Sequence, residues 1–174
     1  PEGDVTAFTA AFFVVVLAAL PVVSWLAARR TKAFAYRLAM ALLAVLLPGL
    51  AFLDRVPGID PFTFGMVYVA LLGAPMSVVF VLPNPMIADI VDADEARTGE
   101  RRAGAYFGVE ETIGKGGAAL AAALFAFLLG TFGFSSEGAL GLRLVGPVAG
   151  AIVLVGLVVF SVGYRVPEPG GTAG

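Results

Sequence analysis

The sequence predicts an all-α membrane protein with about five transmembrane helices. Three observations carry that expectation. Apolar residues make up 59% of the 174 positions and charged residues only 14%, against about 45–50% and 25% in soluble domains. Mean hydropathy is +0.94. The apolar residues are gathered into five blocks, each long enough for a ~30 Å hydrocarbon core at 1.5 Å of helical rise per residue.

The blocks run in order over residues 6–28, 33–53, 62–82, 105–132 and 144–164. The first ends at the charged "RRTK", and the second at "DRVPGIDP", where Pro and Asp signal a turn. The third ends at "NPMIADIVDADEARTGERR", the fourth at "GTFGFSSEGALGLR", and the fifth at the tail "RVPEPGGTAG", residues 165–174. The blocks are continuous, not alternating, and much longer than a barrel strand, so helices are expected. Pro21 and Pro48 lie inside spans, where neighbouring helices can satisfy the freed backbone groups. Gly73, Ala74 and Pro75 suggest a kink that opens a cavity in the third span.

Composition also excludes functions. There is no Cys and no His, so disulfides, Cys metal sites and the usual near-neutral general base are absent. No nucleophile–base constellation stands out, and an enzyme is not expected. A net charge of −2 gives no footprint for nucleic acid. The first residue is Pro, and no basic n-region precedes the first apolar block, so a secretory signal is not expected.

Loop charge predicts orientation. One side collects Arg29, Arg30, Lys32, Arg37, Arg97, Arg101, Arg102 and Arg165; the other has Arg55 and Arg143. The basic side is expected to be cytoplasmic, in a plasma (inner) membrane crossed several times, with the C-terminus inside. The N-terminus then lies outside with no signal segment, so the chain is expected to be a piece of a longer protein.

The loop after the third span holds Asp89, Asp92 and Glu95 at a spacing of three, which puts the acids on one face of a helical extension. Arg101 and Arg102 follow the "TG" turn signal. Two readings are open: an ion-pair latch at the membrane surface, or a solvated loop whose pairs are worth ~0–1 kcal/mol each.

Lys115 lies ten residues into the fourth span, ~15 Å deep. A cation there costs ~2.5 kcal/mol or more and is by default a substrate or coupling-ion site. Glu111, four residues earlier, shares its face in the favourable order for a pair; Glu110 points about 100° away. A self-contained Glu111–Lys115 pair joining two helices is the structural alternative. Gly104 and Gly108 form a small-xxx-small step that permits close helix approach. Phe80, near the end of the third span, is a candidate to stack on a ligand, or else a core or lipid-facing aromatic.

These residues resemble a known family. Ala88-Asp89-Ile90-Val91-Asp92, Thr98-Gly99-Glu100-Arg101, Phe107-Gly108-Val109 and Lys115-Gly116-Gly117 are similar to the glycoside–pentoside–hexuronide:cation symporters. These melibiose permease-like carriers belong to the major facilitator superfamily. The match covers about 35 residues, with a weaker one at "LPVVSWLAARRTKAFAYRLAMALL". The resemblance implies helices 8–12 of a twelve-helix fold. It also implies a substrate-binding role for Lys115, Glu110, Glu111 and Phe80, and a cytoplasmic gate at Asp89, Asp92, Glu95, Arg101 and Arg102. It implies no cofactor beyond a coupling cation, Na+ or H+, whose main site would lie on an N-terminal half.

The expected function is thus part of a secondary active transporter for cation-coupled symport of a sugar or glycoside. The expected partners are the lipid bilayer, a small solute and the other half of the same protein. A lysolipid or other solute carrier of the same fold is the alternative. A structural membrane module, with Lys115 paired in a dry interface, is the reading from another class.

Overall fold

The computed structural model describes residues 2–52, 58, 60–133 and 140–164. Helix α1 spans Glu2–Arg29, α2 Lys32–Leu46, α3 Pro61–Val81, α4 Pro83–Thr98, α5 Ala103–Phe132 and α6 Leu140–Gly163. A 3-10 helix, Leu47–Phe52, follows α2 directly. No strand occurs among the described residues. Among the described residues five helical segments are long and apolar enough to cross a membrane, with α3 and α4 counted as one, Phe62–Thr98. Arg55, Arg165 and the tail 165–174 lie outside the described residues.

Local chemistry sets the boundaries. Thr31 has extended backbone (φ −136°, ψ 155°), and its hydroxyl accepts the Phe34 N–H at 3.0 Å, which caps α2. Asp60 caps α3 by accepting the Thr63 N–H at 3.0 Å, ahead of Pro61 in the first turn. The α-helical form of α2 stops short of the expected span end because Pro48 has no N–H to donate, and the chain tightens into the 3-10 turn. At Leu82 the chain stays right-handed (φ −78°, ψ −25°). The Leu82 and Met86 N–H groups bond one turn back, at 3.0 Å each. α3 therefore leads into α4 despite Pro83 and Pro85. Gly99 ends α4 at φ 75°, a conformation open to glycine.

The core is thin. Val23 of α1, Ala35 and Ala39 of α2, Val78 of α3, then Leu82 and Met86, form its buried cluster. Tyr36, Phe160 and Tyr164 flank it, with ring centroids 4.8 Å and 5.0 Å apart in sequence along the row. α2 is central and packs on α1, α3 and α6, while α1 also packs on α3, and α5 packs on α6 and α4. α3 runs through Pro75 as one helix. Ala74 and Pro75 line a cavity it shares with α1 and α2.

The close helix approach expected at Gly104 and Gly108 is not made among the described residues. Nothing lies within 4 Å of a side chain built at either, because α5 shows that face to no other described helix. Close approach occurs instead at Gly146 and Gly150 of α6. A Cβ on Gly150 would meet the Pro48 ring at 2.7 Å and the Ala44 carbonyl oxygen at 3.1 Å, and one on Gly146 would strike the Leu47 carbonyl. The break that Pro48 forces into α2 is seated in these two notches.

Candidate functional site

Two groups of charge matter, one inside α5 and one at the basic end of the bundle. In α5, the Lys115 ammonium meets a Glu111 carboxylate oxygen at 3.0 Å. Lys115 is twelve residues from the start of the helix and seventeen from its end, ~18 Å and ~26 Å along its axis. The side chains are 80% and 64% exposed, and all of residues 111–120 are exposed. Over this stretch no side of α5 is covered by a described helix; α6 joins it further on, where Ala121, Leu124, Phe125 and Leu128 share a cavity wall with Val145, Val148, Ala149 and Ile152. The pair thus forms as the i,i+4 spacing predicts, and no described helix lies against it. Glu110 is half-buried and makes no ion pair among the described residues. Gly114, Gly116 and Gly117 leave bare backbone beside Lys115. Thr112 turns its hydroxyl back to the Gly108 carbonyl at 2.7 Å.

Phe80 lies in the last turn of α3 and is exposed. α3 and α5 are not among the packed helix pairs, so the chain does not assemble Phe80 and Lys115 into one pocket.

At the basic end, α4 carries the acids. Arg101 donates to Glu95 at 2.6 Å and to Asp92 at 3.3 Å, closing the α4–α5 turn on itself. The hydrogen bond to Glu95, then the charges of Glu95 and Asp92, hold the Arg101 guanidinium above its ordinary range, so it is a permanent cation. Arg102 pairs with Glu100 at 2.7 Å, not with the three acids of α4. Asp89 turns away from both arginines and accepts from Lys32 at 2.6 Å and 2.8 Å. This bond ties the α1–α2 turn to α4, and the two basic loops to the same end of the bundle.

Sequence reasoning missed Asp94. It is buried, with one oxygen bonded to Arg97 at 3.1 Å and the other buried without a partner. Its offset of five from Asp89 takes it off the Asp89–Asp92–Glu95 face, which was the available signal. The other missed partner, Lys32, is too distant in sequence for spacing rules.

No group of three or more His, Cys, Asp or Glu residues able to hold a metal occurs among the described residues.

Helices this long and apolar, among the described residues, are those of a multi-pass membrane protein, in which an ionisable pair inside a span is costly. The family model described as MFS/sugar transport protein matches residues 2–168, and the chain belongs to this family of major facilitator transporters. No curated protein and no solved structure matches the chain.

Proposed function

We propose that the chain is the C-terminal part of a secondary active transporter that couples uptake of a sugar or glycoside to Na+ or H+, in the manner of the glycoside–pentoside–hexuronide symporters. The observation that carries this reading is the Glu111–Lys115 pair on the exposed middle of α5. Hydrocarbon does not tolerate an ammonium near the middle of a span, so this face needs water, solute or polar protein against it. A cation and carboxylate side by side offer a donor and an acceptor to a polyhydroxylated solute. The two would hold solute hydroxyls while a facing half of the protein supplies the coupling-cation ligands and rocks against this one. Phe80 would stack on the solute. The Arg101–Asp92–Glu95 and Lys32–Asp89 pairs would gate the cytoplasmic side.

The test is uptake by vesicles containing the protein expressed from its whole reading frame. Labelled glycoside should accumulate in response to a Na+ or H+ gradient, and Lys115→Ala should abolish accumulation with the protein still inserted. Normal accumulation by Lys115→Ala refutes the role of Lys115. Uptake of lysolipid in place of glycosides moves the cargo to another class.

A further inference from the structure

The turn joining α1 to α2 holds two arginines whose charge no described carboxylate compensates. The Arg29 guanidinium lies 4.7 Å above the centre of the Trp25 ring, and that of Arg30 lies 5.7 Å from the centre of Phe34. Among the described residues no carboxylate pairs with either; Asp89, the acid bound at this turn, is held by Lys32. Trp25 and Phe34 are themselves 53% and 43% exposed.

Directly inward on the same helices is a groove of about 160 Å³ between α1, α2 and α3. Its walls are hydrocarbon, including Val22, Leu26, Leu38, Leu42, Ala74 and Pro75. Helical periodicity aligns the two features. Trp25 stands one turn from Val22 and Arg29 one turn from Trp25, while Phe34 stands one turn from Leu38 with Arg30 against its ring. On both helices the order from water inward is therefore guanidinium, aromatic ring, aliphatic wall.

That order matches the polarity profile of a phospholipid: phosphate, glycerol–ester zone, acyl chain. Aromatic rings favour the middle zone and arginines the first. We propose that the α1–α2 turn and the groove beneath it bind one anionic glycerophospholipid of the adjacent leaflet. Arg29 and Arg30 take the headgroup phosphate, and one acyl chain fills the groove. Two positive charges with no carboxylate partner among the described residues select an anionic lipid over a zwitterionic one. The inference rests on the membrane class of the chain and is independent of its solute.

Trp25 is the only tryptophan in the sequence and reports on the site directly. The protein, with any tryptophan outside these 174 residues replaced by phenylalanine, is reconstituted into vesicles with increasing mole fractions of phosphatidylglycerol or phosphatidylcholine brominated in the acyl chain, and quenching of Trp25 is recorded. Each basic residue near an anionic surface contributes about fivefold in local enrichment. Brominated phosphatidylglycerol should thus quench about five- to twenty-fivefold more effectively, and the excess should saturate as a single site. R29Q/R30Q should remove the excess and leave quenching by phosphatidylcholine unchanged, which also shows the variant is folded in the bilayer. R29K/R30K, which keeps the charge, should retain most of it. Equal quenching by the two lipids, an excess that rises linearly, or an excess that survives in R29Q/R30Q overturns the proposal. So does the absence of quenching by either lipid, since protein would then fill the groove.

Discussion

Lys32 and Asp89, 57 positions apart in sequence, meet through both carboxylate oxygens at 2.6 Å and 2.8 Å. The bond joins the first residue of α2 to the middle of α4, and the two side chains are only 31% and 20% exposed. Charged hydrogen bonds in such settings contribute about 1.5–3 kcal/mol. Asp89→Asn should therefore destabilise the protein by about 1–3 kcal/mol in detergent unfolding. Exchanging the two charges (Lys32→Asp with Asp89→Lys) should recover part of the loss. A double-mutant cycle with no coupling energy would show the contact to be inconsequential.

Lys115 should make α5 costly to insert. In a membrane-insertion assay of the α5 segment, Lys115→Leu should favour insertion by about 3 kcal/mol, the difference between the two side chains at a helix centre. Under the proposed transport function the same change should eliminate solute accumulation. Better insertion combined with lost activity is the pattern of a group kept for function at a cost in stability.

The glycine notches of α6 make a sharper packing prediction. Gly150→Val should push the Pro48 ring and the Ala44 carbonyl out of contact, with a loss of about 1–3 kcal/mol for overpacking. Gly114→Ala, where nothing lies within 4 Å, should be neutral or stabilising by up to about 1 kcal/mol through helix propensity alone. Thermal melts of the two variants in one detergent compare them directly.

Arg101 predicts an alkaline-tolerant turn. Its proton is bound more tightly than that of a free guanidinium because of Glu95 and then Asp92. A raised value means the interaction is complete below the ordinary Arg range and lost only above it. Protease nicking at the α4–α5 turn should stay flat from about pH 7 to about pH 10. Arg101→Gln should raise the nicking rate throughout that interval.

Which features the sequence disclosed follows from their range along the chain. The spans were readable because long apolar runs have one structural solution in a bilayer, and the Glu111–Lys115 contact because four residues make one helical turn. The acids of α4 were placed on one face, but their partners were not. Arg101 closes on Asp92 and Glu95, whereas Asp89 is taken by Lys32, a choice set by how helices pack. Glycine spacing was ambiguous for the same reason. Gly104–Gly108 looked suited to close contact and faces open space, while Gly146–Gly150 has the same spacing and receives α2. Spacing identifies a candidate groove; only the neighbour's position decides whether it is used.

The seating of Pro48 against Gly146 and Gly150 has a mechanical consequence. A knuckle pressed into two sockets resists sliding and rotation together, so the α2–α6 unit behaves as a keel. α5 meets that keel only over its C-terminal half, from Ala121 to Leu128, like an oar in a single rowlock. Any rearrangement that carries Lys115 should pivot α5 about its seam with α6 and leave the keel undeformed.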